Sequence, residues 1–375
     1  MGNCISLRRR RSPPEAKKPR KTHAPLERLP PTVFYRIARY LDQADYNSLY
    51  CCSEEMAGLA KPCICASLPA GLQIGQNSSE NEIMHMLATN PETNHLPMSL
   101  HVILPYIGDK DARNVSEGGL SYDPEALHST PEMGTVRRDL NNLVNCKDLH
   151  FTLARADQST GLKSNNKVLY IEDALYAVLA DTPARVEKLT LDSRVVKSWE
   201  CGKSAMHESL DKAWSNLKSL EVRETLSSDF SKGTAISHIL QHAPELQSLS
   251  LNSLAADSKR SKIFRVASSA SIKTNRLESL VLADLAVKPE DLTMWLTRFG
   301  STLKTLELYS VLLADGSWKD VIQTIQDKCT NLQKVVVQYP QGAAQRGPFL
   351  DVTCSGSDLH SKLEQFKGSV AEAGI

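Results

Sequence analysis

The sequence contains no apolar run of the roughly 18 residues that a membrane-spanning helix needs. It also lacks an excess of either charge, because 44 basic residues are balanced by 43 acidic ones and the formal net charge is +1. Gly and Pro, 18 of each in 375 residues, are too few for a collagen-like or low-complexity chain. These absences predict a globular protein, long enough for two or more domains, rather than an integral membrane protein.

Motifs of catalysis and cofactor binding are missing as well. The sequence has no phosphate-binding glycine loop, no dinucleotide fingerprint, no nucleophile elbow, no metalloprotease histidine pair and no EF-hand. Cys63 and Cys65 form an isolated C-x-C without a second pair at zinc-ligand spacing. We therefore predict no enzymatic activity, no cofactor and no metal site. A hydrolase assembled from distant residues is a remote alternative.

The cysteines also indicate a compartment. There are nine, an odd number without regular spacing, and no secretory apolar segment follows Met1. This pattern is typical of a reducing, intracellular environment.

The near-zero net charge conceals a strongly basic N-terminal segment. Residues 1–28 carry nine basic and two acidic side chains, a charge of +7, which leaves −6 for the other 347 residues. Most of the basic residues lie in two clusters: Arg8, Arg9, Arg10 and Arg11, then Lys17, Lys18, Arg20 and Lys21. Because the segment also has four prolines and few apolar residues, we predict a disordered tail.

The first residues of this tail predict lipid attachment. Gly2 and Ser6 match the myristoylation pattern, and Cys4 resembles the palmitoylated cysteine of dually acylated proteins. One myristoyl chain binds a bilayer only marginally, so a second acyl chain or the basic clusters would complete the anchor. We predict a cytoplasmic protein held peripherally at an anionic membrane surface. The two basic clusters also fit a bipartite nuclear-localisation signal, so the nucleus is the alternative; no nucleic-acid partner is expected.

Residues 29–68 have the pattern of a small helical module. Pro31 suits a first helical turn, Val33, Ile37 and Leu41 recur at helical spacing, and Asp45 can cap a second helix. Such short helices bury little surface alone and need a partner or an adjoining domain.

This module resembles the F-box. The positions that match the family pattern in register are Leu29, Pro30, Val33, Ile37, Tyr40, Leu41, Asp45, Leu49 and Ser53. Thr32, Tyr46, Cys52 and the pair Glu54-Glu55 depart from it. The resemblance implies docking onto the adaptor protein of cullin-RING ubiquitin ligases through Leu29, Pro30, Val33, Ile37, Leu41 and Leu49. The alternative is a helical hairpin that only packs on the rest of the chain.

Seven segments in the second half of the chain share the form apolar-x-x-apolar-x-apolar. They start at Cys146, Val186, Leu217, Leu246, Leu277, Leu303 and Leu332, at intervals of 26 to 40 residues. Apolar stripes at helical spacing precede five of them. This alternation predicts an irregular leucine-rich-repeat solenoid of α/β class over residues 136–340, with a parallel sheet on its concave face and helices on its convex face. A doubly wound α/β sheet is disfavoured because no Gly-rich turn follows the first strand.

The remaining segments and the concave face complete the prediction. Residues 69–135 are expected to be a linker or degenerate leading repeat with a polar loop, and residues 341–375 a C-terminal tail. Strand alternation places Glu221, Arg223, Asn252, Glu307, Tyr309 and Lys334 on the concave face, where we predict a target protein binds.

The order of the modules resembles that of known proteins. An F-box followed by leucine-rich repeats is similar to the substrate receptors of cullin-RING ligases, which perform no chemistry themselves. This resemblance implies two partners, the adaptor and an unknown target protein. A leucine-rich-repeat scaffold without a ligase link is the alternative.

Overall fold

The computed structural model describes most of the chain in two compact units, Met1–Lys61 and Pro62–Ile375. The described residues are 25–38, 40–41, 45, 48–49, 51–67, 70–73, 79–91, 93–95, 97, 99–106, 128–155, 171–180, 182, 186–192, 208–224, 235–253, 263–264, 272–341 and 350–374.

The described part of the first unit is helical. A 3₁₀ turn, Pro25–Arg28, precedes helix α1, Pro31–Ala38, which begins at the proline predicted for its first turn. Helix α2, Glu54–Ser67, begins in this unit and ends in the second. The Ser53 hydroxyl accepts a hydrogen bond from the Met56 amide at 3.1 Å and so caps α2.

The second unit is built on a sheet whose strands follow one another in chain order. The strands of the unit are β1 Ala70–Gln73, β2 Ser99–Tyr106, β3 Asp148–Arg155, β4 Lys188–Asp192, β5 Ser219–Glu224, β6 Ser248–Ser253, β7 Ile263–Phe264, β8 Ser279–Ala283, β9 Ala286–Val287, β10 Thr305–Tyr309, β11 Leu312–Leu313, β12 Lys334–Gln338 and β13 Asp351–Ser355. The main sheet has the order β1-β2-β3-β4-β5-β6-β8-β10-β12-β13, and every pair is parallel except β12 with β13. A doubly wound sheet would reverse its strand order at a switch point, so this order excludes that alternative.

Described helices lie in most of the connections between neighbouring strands of the main sheet. They are α3 Ser79–Thr89, α4 Pro131–Asn142, α5 Ile171–Leu179, a 3₁₀ helix Glu208–Trp214, α6 Ala235–His242, α7 Pro289–Phe299, α8 Trp318–Lys328 and α9 Leu359–Ala373. Each of the five predicted apolar stripes lies in one of these helices, the second of them in the 3₁₀ helix. The α/β class and the largely parallel sheet are therefore as predicted.

The consensus apolar residues form the core in aligned rows. Leu149, Leu189, Leu220, Leu249, Leu280, Leu306 and Val335 lie opposite one another in successive strands, and each is at most 1% exposed. They pack against the apolar faces of the helices in one continuous hydrophobic cluster. A single repeat cannot cover its own apolar face, so stacking stabilises the array.

The sheet is longer than the predicted repeats over 136–340. Strands β1 and β2 extend it on the N-terminal side, in the segment predicted as a linker or leading repeat. On the C-terminal side, β13 pairs with β12, and α9 buries Leu363, Phe366 and Val370 in the same core. Helix α9 thus covers apolar surface that the last repeat would otherwise expose, so residues 341–375 are more than a tail.

None of the described helices is long and apolar enough to cross a membrane.

Candidate functional site

The main sheet has one face against the helices and one face that we call the open face. In β6 the buried Leu249 and Leu251 alternate with the partly exposed Ser248, Ser250 and Asn252. Strands β8 and β10 begin with the same alternation. Polar side chains of neighbouring strands are therefore aligned in rows across the open face, at the spacing of a parallel sheet.

The first polar group on the open face is a histidine cluster made of His101, His150, Thr152 and Asp192. His101 and His150 are register partners in β2 and β3, and their rings stack with centroids 4.5 Å apart and planes 15° from parallel. Thr152 Oγ1 lies 2.7 Å from Nε2 of His101 and 3.1 Å from Nε2 of His150. Because a hydroxyl has one hydrogen, one ring accepts from Thr152 and the other donates to it.

Burial keeps this pair of rings neutral. Desolvation, followed by the neighbouring His150 ring, lowers the pKa of His101. Desolvation also lowers the pKa of His150, although the negative charge of Asp192 acts in the opposite direction. Both pKa values are thus below the ordinary 6.5, so at pH 7 the rings offer hydrogen bonds rather than positive charge.

The second polar group adjoins the histidine cluster. Arg223 Nη2 lies 2.6 Å from Oε1 of Glu221, two residues earlier on the same strand. Arg223 is the register partner of Asp192 on one side and of Asn252 on the other. The Asn252 side-chain oxygen is buried and has no hydrogen-bond partner among the described residues. These residues place donors and acceptors side by side on β4, β5 and β6.

The third polar group lies on β10 and β12. Glu307 accepts hydrogen bonds from Lys334 Nζ at 2.6 Å and from the Tyr309 hydroxyl at 2.8 Å. Burial opposes ionisation of Glu307, but these two hydrogen bonds outweigh it and lower its pKa. Burial, followed by the bond to Glu307, raises the pKa of Tyr309. The carboxylate is therefore ionised and held in one orientation.

The six concave-face residues predicted from the sequence thus fall into two groups. Glu221, Arg223 and Asn252 lie together, and so do Glu307, Tyr309 and Lys334. Because Asn252 lies on β6, only β8 intervenes between the two groups, which are about 10 Å apart at the usual strand spacing. Their role in binding stays a prediction.

Sequence reasoning missed the two stacked histidines. A signal was present, because Leu100-His101-Val102 and Leu149-His150-Phe151 share the form Leu-His-apolar. This shared form predicts a pair of neighbouring histidines only if β2 and β3 are assigned to the same sheet.

The residues predicted to dock onto the adaptor lie in and around α1. This helix buries Phe34, Tyr35 and Ala38, whereas Val33 and Ile37, one turn apart, are each 40% exposed. Pro30 is exposed as well, and Leu29, Leu41 and Leu49 are half-buried. The apolar residues Val33 and Ile37 are thus on the accessible side of the helix.

The lipidation residues Gly2 and Cys4 and the two basic clusters lie outside the described residues.

The buried thiols of the repeat array are poor nucleophiles. Burial, followed by the nearby negative charge of Asp148, raises the pKa of Cys146 to about 12. Burial alone raises the pKa of Cys329 to about 12 and also raises that of Cys354. Because the thiolate is the reactive form, these three cysteines have a packing role.

Comparison with known proteins identifies no family. No protein-family model and no curated protein matches the chain. A solved structure described as the Toll–Spatzle complex, a molecular hub in Drosophila development and innate immunity, matches with a TM-score of 0.35 and 13% sequence identity. That match covers 73% of this chain and 28% of the other. A likeness this distant indicates no function.

Proposed function

We propose that this chain is a non-catalytic protein-binding repeat protein that recognises a target on the open face of its sheet. The observation that carries the proposal is the open face itself. Sheets made of parallel strands usually bury both faces. Here the described open-face residues at the start of β6, β8 and β10 remain partly exposed, although they alternate with fully buried residues. An accessible, rigid face of this kind suits recognition of another macromolecule.

The chemistry of the open face favours a protein partner over a polyanion. Its basic side chains are matched by acidic ones: Lys188 with Asp148 at 3.2 Å, Arg223 with Glu221, and Lys334 with Glu307. A nucleic-acid surface needs a continuous excess of positive charge. Small side chains on β6 and β8 separate the charged groups, so a partner can approach the backbone closely there.

A link to a cullin-RING ligase is the more specific part of the proposal. It is supported by the nine F-box positions that match in register and by the exposure of Val33 and Ile37 on α1. Apolar side chains one helical turn apart and open to solvent are what a docking helix presents to a groove. On this proposal the chain brings a target protein close to the ligase and raises its effective concentration there.

Two double variants of the full chain test both binding surfaces, and each serves as the control for the other. Val33→Asp with Ile37→Asp should abolish co-purification of the cullin adaptor but leave target binding intact, because it places charges in an apolar contact. Arg223→Glu with Lys334→Glu should weaken target binding by about tenfold or more, because it sets acidic residues beside Glu221 and Glu307. Affinity capture with quantitative mass spectrometry measures both partners in one experiment.

The outcomes separate the two parts of the proposal. If the unmodified chain recovers targets but no adaptor, the ligase link is rejected and the scaffold alternative is supported. If the Arg223→Glu, Lys334→Glu variant recovers the same targets at the same level, the open face is not the recognition surface.

We also propose that acyl chains on Gly2 and Cys4, together with the basic clusters, hold the protein at an anionic membrane. Each attachment alone binds a bilayer weakly, and we propose that the myristoyl chain is needed beside the others for stable anchoring. The Gly2→Ala variant should move from the membrane fraction to the soluble fraction when cells are fractionated. A variant that still sediments with membranes would reject the acyl anchor, and nuclear accumulation of the wild type would favour the import signal.

A further inference from the structure

On the helical side of the sheet, three potential metal ligands from two consecutive repeats meet. Asp211 lies in the 3₁₀ helix Glu208–Trp214, and His238 and His242 lie one turn apart on α6. Asp211 Oδ1 is 2.9 Å from His238 Nε2, and Asp211 Oδ2 is 3.5 Å from His242 Nε2. We propose that these three residues form a binding site for a divalent transition-metal ion of the Zn²⁺ type.

The spacing of the ligand atoms suits such an ion. One ligand atom from each residue can be chosen so that all lie within 4.8 Å of one another. A tetrahedral Zn²⁺ with bonds of about 2.0 to 2.1 Å holds its ligand atoms about 3.3 Å apart. The separations of Asp211 from the two rings, 2.9 Å through Oδ1 and 3.5 Å through Oδ2, lie on either side of that value. Two imidazoles and one carboxylate leave the fourth position to water, as in zinc sites with three protein ligands.

The hydrogen bonding of His242 holds its ring in an orientation that suits metal coordination. Its Nδ1 is 2.9 Å from the backbone oxygen of His238. A carbonyl oxygen only accepts, so Nδ1 carries a proton, and Nε2, which lies 3.5 Å from Asp211 Oδ2, is the ring nitrogen left for a metal ion. A backbone carbonyl that orients a histidine in this way is the usual outer partner of a metal ligand.

The site is partly buried and partly open to solvent. Oδ1 of Asp211 is buried and lies 2.9 Å from His238 Nε2. The second ring nitrogen of His238, Nδ1, is buried and has no hydrogen-bond partner within the described part of the chain. The side chains of Asp211 and His242 are 38% and 30% exposed, which leaves a path for an ion from solvent.

A metal ion at this place would join two repeats. Asp211 precedes β5 and the two histidines precede β6, so the ligands come from adjacent layers of the solenoid. An ion that binds only when those layers are stacked would stabilise the folded state by mass action. The proposed role is therefore a cross-link within the array, on the side away from the open face.

Zn²⁺ titration of the metal-stripped full chain tests the site. We expect one equivalent of Zn²⁺ to bind through Asp211, His238 and His242. The midpoint of thermal unfolding should rise when Zn²⁺ is added. Asp211→Asn and His242→Gln, which nearly preserve side-chain shape, should each weaken binding at least tenfold and remove the thermal shift. His360→Gln, at an exposed position of α9, is the matched control and should behave as wild type. Co²⁺ should give the visible absorption of a tetrahedral site in the wild type but not in His242→Gln.

Two results of the Zn²⁺ titration would overturn the proposal. If the Asp211→Asn, His242→Gln double variant binds Zn²⁺ as tightly as the wild type, the ion occupies other donors and the proposal is overturned, as it is if no Zn²⁺ binds. Circular dichroism of each variant in EDTA should match that of the wild type in EDTA, which separates loss of a ligand from loss of the fold.

Discussion

Replacing Trp295 by Ala should lower the free energy of unfolding by about 3 to 5 kcal/mol, the range found when a fully buried large side chain is truncated. Trp295 is 1% exposed and lies in the middle of α7, where its ring packs edge-to-face on Phe299 with centroids 6.1 Å apart. Truncation leaves a cavity between the helix and the sheet that stacked repeats cannot easily close. Urea denaturation followed by circular dichroism measures the loss.

Substitution by Phe at two tryptophans separates packing from hydrogen bonding. The indole nitrogen of Trp295 has no hydrogen-bond partner among the described residues, whereas that of Trp318 donates to the Gln341 carbonyl at 3.0 Å. Trp295→Phe should therefore cost less than about 1.5 kcal/mol. Trp318→Phe should cost about 1 kcal/mol more, because it also loses the partly buried hydrogen bond to Gln341. Equal costs for Trp295→Phe and Trp295→Ala would contradict this account of the site.

Replacing Gly300 by Ala should destabilise the protein by about 1 to 3 kcal/mol, as other additions of a methyl group to a tightly packed site do. A Cβ at this position would lie 2.6 Å from the Leu296 carbonyl oxygen and would also overlap the carbonyl of Lys328 in the next helix. The backbone of Gly300 is right-handed, with φ −55°, so the glycine is needed for space and not for an unusual conformation. The expected loss therefore reflects the close approach of the ends of α7 and α8.

Gly368 provides the matched control, since it lies inside α9 and a Cβ there meets nothing within 4 Å. Gly368→Ala should raise stability by about 0.5 to 1 kcal/mol, because Ala loses less backbone entropy in a helix than Gly. Thermal unfolding of the two variants should shift in opposite directions. A neutral result for Gly300→Ala would mean that the two helix ends separate at little cost.

The repeat architecture could be predicted because its signal is local and is repeated. Leu249 and Leu251 are buried while Ser250 between them is not, and the same alternation recurs in neighbouring strands, so the pattern marks both the strand and its buried face. Strand β13 has no such signal, because it follows a break in the consensus and pairs antiparallel to β12. Strand β2 carries a weaker signal, because its segment lacks the full repeat form.

The positions of the site residues could be predicted only in part from the repeat pattern. Glu221 and Arg223 are two residues apart on one strand, so their proximity could be inferred from strand geometry. His101 and His150 are 49 residues apart in the sequence and stack only because β2 and β3 pair in one particular register. Asp211 meets His238 and His242 only because a 3₁₀ helix packs beside α6.

The sequence by itself determined the class of the fold, the approximate positions of seven strands and the separation of a basic N-terminal segment from an acidic remainder, because each depends on residue type and spacing along the chain. The tertiary structure alone decided which histidines meet, how the open-face charges pair and where the sheet begins and ends. These features depend on strand register and helix packing. Register and packing are set by the apolar surface that the whole array buries, and no short segment encodes them.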